Sequence, residues 1–270
     1  MVDPFDDDKD VEDTPRQKRL KRFKTIPLKF LLPNLITLLA LCLGITAIRM
    51  GIEGRFELAV SAVIVATVLD ALDGRVARLL KGASRFGAEL DSLADFINFG
   101  VTPAVLIYMW ALHHLHNLGW VVALSLSVAM ALRLARFNVA LDDPDKPSWS
   151  NKFFTGVPAP AGAALVMLPM YLGFLGFVPD IKAVAPVILV FTGLISFLVI
   201  SKIPTFSGKG FGQRIDRDLV LPILAGSVLF TVVLISFPWE LLTFTVIAYF
   251  VLLPVGWRSY RRYAKQDDTQ

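Results

Sequence analysis

Eight runs of apolar residues, separated by short polar connections, set the rhythm of this chain: roughly 33–50, 56–80, 88–112, 118–138, 156–178, 183–201, 218–236 and 239–256. A helix needs about 20 predominantly apolar residues to cross a bilayer. The first and last runs fall slightly short of that, and the fourth, fifth and seventh carry polar ends. The pattern predicts an all-α fold, a polytopic membrane helix bundle of about eight transmembrane helices. No internal repeat and no second domain is visible. The segment 139–155, with Asp142, Asp143, Pro144, Asp145, Lys146 and Pro147, reads as a polar connection or a lid. The expected organisation is a charged tail over 1–24, one membrane domain over 25–257 and a basic tail over 258–270.

Composition agrees with the membrane reading. Of 270 residues, 55% are hydrophobic and 19% charged, with mean hydropathy +0.60. An average soluble domain is about 45–50% apolar with glycine included and about 25% charged. An ordinary soluble enzyme, a disordered chain and a nucleic-acid binder are all disfavoured, so no nucleic-acid partner is expected. The single cysteine, Cys42, excludes an internal disulfide and a thiolate metal cluster.

The placement of charge says more than its total. Of the 27 lysines and arginines, 24 fall on the two tails and the even-numbered connections, and only Arg49, Arg55 and Lys182 fall on the other side. The positive-inside rule then puts both termini in the cytoplasm. The N-terminal 24 residues have no apolar stretch suited to a signal peptide. Their basic run (Arg16, Lys18, Arg19, Lys21, Arg22, Lys24) has two readings. One is a solvated, disordered tail. The other, supported by Leu20, Phe23, Ile26 and Leu28, is a juxtamembrane amphipathic helix on anionic lipid. His113, His114 and His116 fall in an external loop, where nothing else suggests a metal site.

The second and third apolar runs hold four carboxylates that such segments ordinarily avoid: Asp70, Asp73, Asp91 and Asp95. Each costs about 2.5–3.5 kcal/mol at a helix centre, so the set would cost on the order of 10 kcal/mol uncompensated. Cations, water or a shallow depth must offset that. Asp70, Asp73, Gly74, Ala77 and Arg78 share one helical face; Gly87, Asp91 and Asp95 share another. Gly82-Ala83-Ser84 between them predicts a turn, glycine ending one helix and serine starting the next. An antiparallel pair about that turn would bring Asp73 level with Asp91 and Asp70 level with Asp95, roughly 13 and 19 Å from the turn. The cluster therefore belongs in the cytoplasmic half of the bilayer. Converging carboxylates without histidine or thiolate suit Mg²⁺ or Mn²⁺. Small residues on the same faces leave room for a bulky ligand, although Gly74 taken alone also reads as a packing residue. Arg78, one turn toward the cytoplasm, suits a phosphate.

Read together, Asp70-Ala-Leu-Asp73-Gly74-Arg-Val-Ala77-Arg78, eight residues, Gly87, three residues, Asp91, three residues and Asp95 resembles the complete signature of the CDP-alcohol phosphatidyltransferases. Five further blocks resemble the integral-membrane bacterial branch of that family whose acceptor is serine: Leu32-Pro33-Asn34-Leu-Ile-Thr37, Ala94–Val101, Arg133-Leu-Ala-Arg136-Phe137-Asn138, Phe154–Ala161 and Ser201–Thr205. The resemblance implies transfer of a phosphatidyl group from CDP-diacylglycerol to L-serine, with CMP released. It implies that Asp70, Asp73 and Asp91 hold the metal with Asp95 bridging to it, and that Asp95 also takes the proton of the serine hydroxyl. It implies that Gly74, Ala77, Arg78 and Gly87 line the cytidine-diphosphate site, closed by Asn34 and Thr37. It further implies a homodimer surrounded by membrane lipids in the bacterial inner membrane, with the active site facing the cytoplasm.

Arg133 and Arg136 have two readings: one grips the serine carboxylate, or both snorkel to headgroups. Two functional alternatives also stand. One is the same chemistry with glycerol 3-phosphate, choline or an inositol phosphate. The other is a divalent-cation transporter with an aspartate-lined path.

Overall fold

A computed structural model describes residues 28–82, 84–141, 153–201, 204–206 and 217–267. The N-terminal tail, and with it the amphipathic helix expected there, lies outside the described residues. All eight apolar runs fall on helix. The first forms α1 (Leu28–Ile52) and the second α2 (Phe56–Leu79). The third forms α3 (Arg85–Asp95), a π-helical turn (Phe96–Val101) and α4 (Thr102–Trp110) in continuous succession. A 3₁₀ turn (Leu112–Leu115) leads into α5 (His116–Leu141). The fifth run is divided between α6 (Ala159–Val166) and α7 (Leu168–Phe174), followed by α8 (Ile181–Ile200), α9 (Arg217–Ser236) and α10 (Pro238–Asp267).

The expectation of eight spans is met only in coarser form. Among the described residues four helical stretches are long and apolar enough to cross a membrane: Leu31–Ile52, Arg85–Trp110, Leu112–Ala140 and Ile181–Ile200. Leu221–Ser236 and Pro238–Leu252 qualify only as a pair, and they are bent by 116°. Charge explains one of the remaining differences. Helix α2 has 24 residues, about 36 Å of length, but Asp70, Asp73, Arg75 and Arg78 make its C-terminal end polar. A backbone break explains the other. Pro169 sits in the first turn of α7 and offers no N–H, so the fifth run is interrupted at Met167. Helix α10 continues to Asp267, through most of the segment expected to be a tail.

The fold is also not purely helical. Phe153–Thr155 (β1) and Pro204–Phe206 (β2) pair antiparallel, with Phe154 opposite Thr205. This clasp joins the connections before α6 and after α8. Gly156 leaves it at φ +78, where an added Cβ would meet the Ser201 carbonyl oxygen at 2.7 Å, so the chain passes close to the end of α8.

Small residues bring the helices together around a core from Val60 and Phe99 to Leu126, Met130 and Ile195. A Cβ at Gly100 would lie 3.0 Å from Met130 Cβ, which fixes the close approach of the π-helical turn to α5. The π turn frees backbone carbonyls, and Ser127 Oγ donates to one of them, Gly100 O, at 3.3 Å. Thr102 Oγ1 donates to Gly44 O at 3.2 Å and ties the same region to α1. Trp239 anchors α10 between Phe174, at 4.7 Å, and Tyr171, at 6.4 Å.

Candidate active site

The turn between α2 and α3 forms as a capped junction. Ser84 is the N-cap of α3 and accepts from Gly87 N at 3.0 Å. The C-terminal end of α2 closes with Gly82 N bonded to Ala77 O at 2.9 Å and Lys81 N bonded to Arg78 O at 3.2 Å. That is a Schellman motif. The residue in its left-handed position is Lys81, at φ +49, and not the glycine beside it as the sequence suggested.

Helices α2 and α3 diverge from this junction, and α1 packs against both. The wedge they leave is an open cleft of about 180 Å³. All six residues expected at a nucleotide-diphosphate site line it: Asn34, Thr37, Gly74, Ala77, Arg78 and Gly87. Asp73 and Asp91 line it as well. Pro33, Gly82, Ser84 and Ala88 complete the wall; none of them was expected at the site itself, being small or turn-forming residues without charge.

The two glycines act differently. An added Cβ at Gly87 would lie 2.8 Å from Asn34 Oδ1 and 3.1 Å from Ser84 Oγ, so Gly87 lets α1 approach α3. At Gly74 the nearest atom would be Arg78 Nη1, at 3.6 Å. Gly74 therefore packs against no neighbouring helix, and its missing side chain keeps the cleft open. The packing reading of Gly74 is set aside.

Deeper in the wedge the carboxylates converge. One oxygen each from Asp70, Asp91 and Asp95 lie within 4.8 Å of one another. Asp70 on α2 and Asp95 on α3 thus face each other across the wedge. Asp73 is not among the converging three. It is buried at the cleft wall and accepts from Thr37 Oγ1 at 2.5 Å. Among the described residues no lysine or arginine forms an ion pair with any of the four, and Asp95 Oδ1 is buried without a partner. Unpaired buried carboxylates are costly unless they coordinate a cation. Three hard oxygen donors on two helices, with no nitrogen or sulfur ligand among them, fit Mg²⁺ or Mn²⁺ rather than zinc.

Arg133 and Arg136 both bond to backbone carbonyls of neighbouring segments. Arg133 is buried and donates from Nε to Val157 O at 2.6 Å. Arg136 donates from Nη1 to Ile200 O at 2.8 Å. They fasten α5 to the two backbone stretches that leave the β clasp. Arg133 is also within electrostatic reach of Asp95. Asn138 Nδ2 donates to Ser92 Oγ at 2.9 Å and links α5 to α3 beside Asp91.

Comparison with known proteins agrees with this geometry. Residues 30–199 match the family model of the CDP-alcohol phosphatidyltransferases, and residues 218–254 match a second model described as CDP-alcohol phosphatidyltransferase 2. A Mycobacterium tuberculosis (strain ATCC 25618 / H37Rv) protein named CDP-diacylglycerol–serine O-phosphatidyltransferase is 37% identical over 250 residues, covering 88% of this chain and 82% of its own. Proteins of the same name from Mycobacterium leprae (48% identical over 137 residues, 51% of this chain and 45% of its own) and Helicobacter pylori strain 26695 (40% over 139 residues, 52% and 56%) match shorter stretches.

Proposed function

Because the chain belongs to the CDP-alcohol phosphatidyltransferase family, we propose that it is an integral membrane enzyme that transfers the phosphatidyl group of CDP-diacylglycerol to L-serine, giving phosphatidylserine and CMP. The observation that carries this reading is the acidic centre formed by Asp70, Asp91 and Asp95 next to a cleft lined by all six expected nucleotide-site residues. Serine as acceptor rests on the relatives' names and on the buried Arg133, within electrostatic reach of Asp95. Membership of this family removes the cation-transporter alternative.

The residues divide the work. Asp70, Asp91 and Asp95 would hold a divalent cation, with Asp73 as a fourth carboxylate on the cleft side. Such a cation, when bound, neutralises charge on the diphosphate and its leaving oxygen. Thr37 fixes the rotamer of Asp73 through its hydroxyl. Arg78, exposed at the cleft mouth, pairs with the diphosphate, and Gly74 leaves space for it. Asp95 accepts the serine hydroxyl proton as the serine oxygen attacks the phosphatidyl phosphorus. The new bond is serine O–P. The bond broken is the anhydride P–O, and CMP departs with the bridging oxygen. Arg133 is placed to hold the serine carboxylate from the α5 side, with Arg136 keeping the adjacent backbone in position.

The wider reading follows the charge pattern: eight membrane-embedded helical segments, both termini and the site on the cytoplasmic face of a bacterial inner membrane, and a homodimer in lipid. The test is a radiolabelled acceptor panel with CDP-diacylglycerol in detergent micelles. The reading expects serine to be incorporated. Preference for glycerol 3-phosphate, choline or inositol would overturn it.

A further inference from the structure

Asn98 is the most conspicuous polar residue that this mechanism does not use. It is fully buried, at 0% exposure, and neither its amide nitrogen nor its amide oxygen has a hydrogen-bond partner among the described residues. It sits in the π-helical turn directly after α3, three residues beyond Asp95. Irregular helical turns of this kind concentrate at functional sites.

Its surroundings are built to admit it. On α1 the facing residue is Gly44, and a Cβ there would overlap Asn98 Oδ1. Gly44 lies two helical turns from Thr37 on the same face of α1, so the amide lies deeper in the wedge than the Thr37–Asp73 bond. Ala40 and Ala47, both buried, flank Gly44 on α1, and Ala66, also buried, precedes Asp70 by one turn. None of these offers a polar side chain. Buried polar groups are ordinarily paired with protein or with internal water. Here two kinds of unpaired atom occur one turn apart on the same helix: the Asn98 amide and Asp95 Oδ1.

We propose that Asn98 is a positioning residue for the acidic centre, its amide holding Asp95 Oδ1 through one internal water. The amide supplies the donor that fixes the carboxylate's orientation, and its oxygen anchors the water against α1. Asp95 then presents its other oxygen toward Asp70 and Asp91. Supporting partners of this kind typically change metal affinity or activity 10- to 100-fold when removed. The inference rests on the metal-binding reading given above, and the test separates the two.

The full-length protein and its variants, purified in detergent, are titrated with Mn²⁺ alone and followed by electron paramagnetic resonance. Turnover and thermal unfolding are measured on the same samples. Wild type failing to bind Mn²⁺ would overturn the metal reading and this inference together. With wild type binding, Asn98→Leu is expected to weaken Mn²⁺ at least tenfold and to lower kcat. Its KM for CDP-diacylglycerol should stay within about twofold, and it should still unfold in one cooperative transition, because the side chain is replaced by an apolar group of similar size. Asn98→Ser keeps a hydroxyl and leaves room for water, so it should retain Mn²⁺ affinity within about threefold. Gly44→Ala, which displaces the amide from α1, should reproduce the Asn98→Leu pattern and serves if that variant does not fold. Wild-type Mn²⁺ affinity in Asn98→Leu, or in Gly44→Ala where Asn98→Leu does not fold, would overturn the inference. So would equal losses in Asn98→Leu and Asn98→Ser.

Discussion

Replacing Gly74 by alanine separates the two things a glycine can do in a membrane helix. In α2 the new methyl group would find no atom nearer than Arg78 Nη1 at 3.6 Å, an ordinary contact with a flexible side chain. The fold is therefore not strained, and removing a glycine from a helix interior favours the folded state by about 0.5–1 kcal/mol. The methyl group does intrude on the cleft where the diphosphate is proposed to lie. Overfilling a close-fitted site by one methyl typically costs about 1–3 kcal/mol, which corresponds to roughly 5- to 150-fold in binding. Gly74→Ala is thus expected to raise the KM for CDP-diacylglycerol by about that factor while the melting temperature in nanodiscs holds or rises. Gly87→Ala is the contrasting control. Its Cβ would lie 2.8 Å from Asn34 Oδ1 and 3.1 Å from the capping Ser84 Oγ, and loss of a cap costs about 1 kcal/mol. That variant should lose stability and substrate affinity together. An unchanged KM in Gly74→Ala would refute the assignment of this cleft to the substrate.

Asp95→Asn keeps the shape of the side chain and removes the base; kcat should fall about 10²- to 10⁴-fold, and near-normal turnover at saturating metal would refute the role. Exhaustive chelation should silence the purified enzyme, and Mg²⁺ or Mn²⁺ should restore it; activity that survives chelation would remove the cation from the account. Arg133→Ala should raise the KM for serine more than that for the lipid substrate, with some loss of stability from the lost bond to Val157 O. An unchanged serine KM would leave Arg133 with only its structural bond.

The acidic centre was legible in the sequence because it breaks a strong rule. Carboxylates in apolar helices need compensation, and their spacing alone assigned each to a helical face. Ser84 was legible as a cap because a serine before a helical run has few other uses there. Lys81 was not, since its left-handed backbone follows from the geometry of the turn and not from its side chain, and Gly82 beside it was the obvious alternative. The broken fifth segment escaped because hydropathy registers length and not continuity; Pro169 was the signal that should have marked it. The clasp between 153–155 and 204–206 pairs two three-residue strands far apart in the chain, which no local pattern encodes. Charge statistics could not separate a buried arginine from an interfacial one, and only the carbonyls of Val157 and Ile200 decide that Arg133 and Arg136 point inward. Spacing put Asp73 on one face with Asp70; the bond that Thr37 makes to it from another helix is a contact that spacing does not encode.

The proposed reaction requires two helices, α2 and α3, to hold one divalent cation between their acidic faces. An anomalous difference map from crystals of the protein grown with Mn²⁺ tests it most directly. A manganese peak bounded by the carboxylates of Asp70, Asp91 and Asp95 is expected. A map with manganese bound elsewhere and none at those three side chains would contradict it.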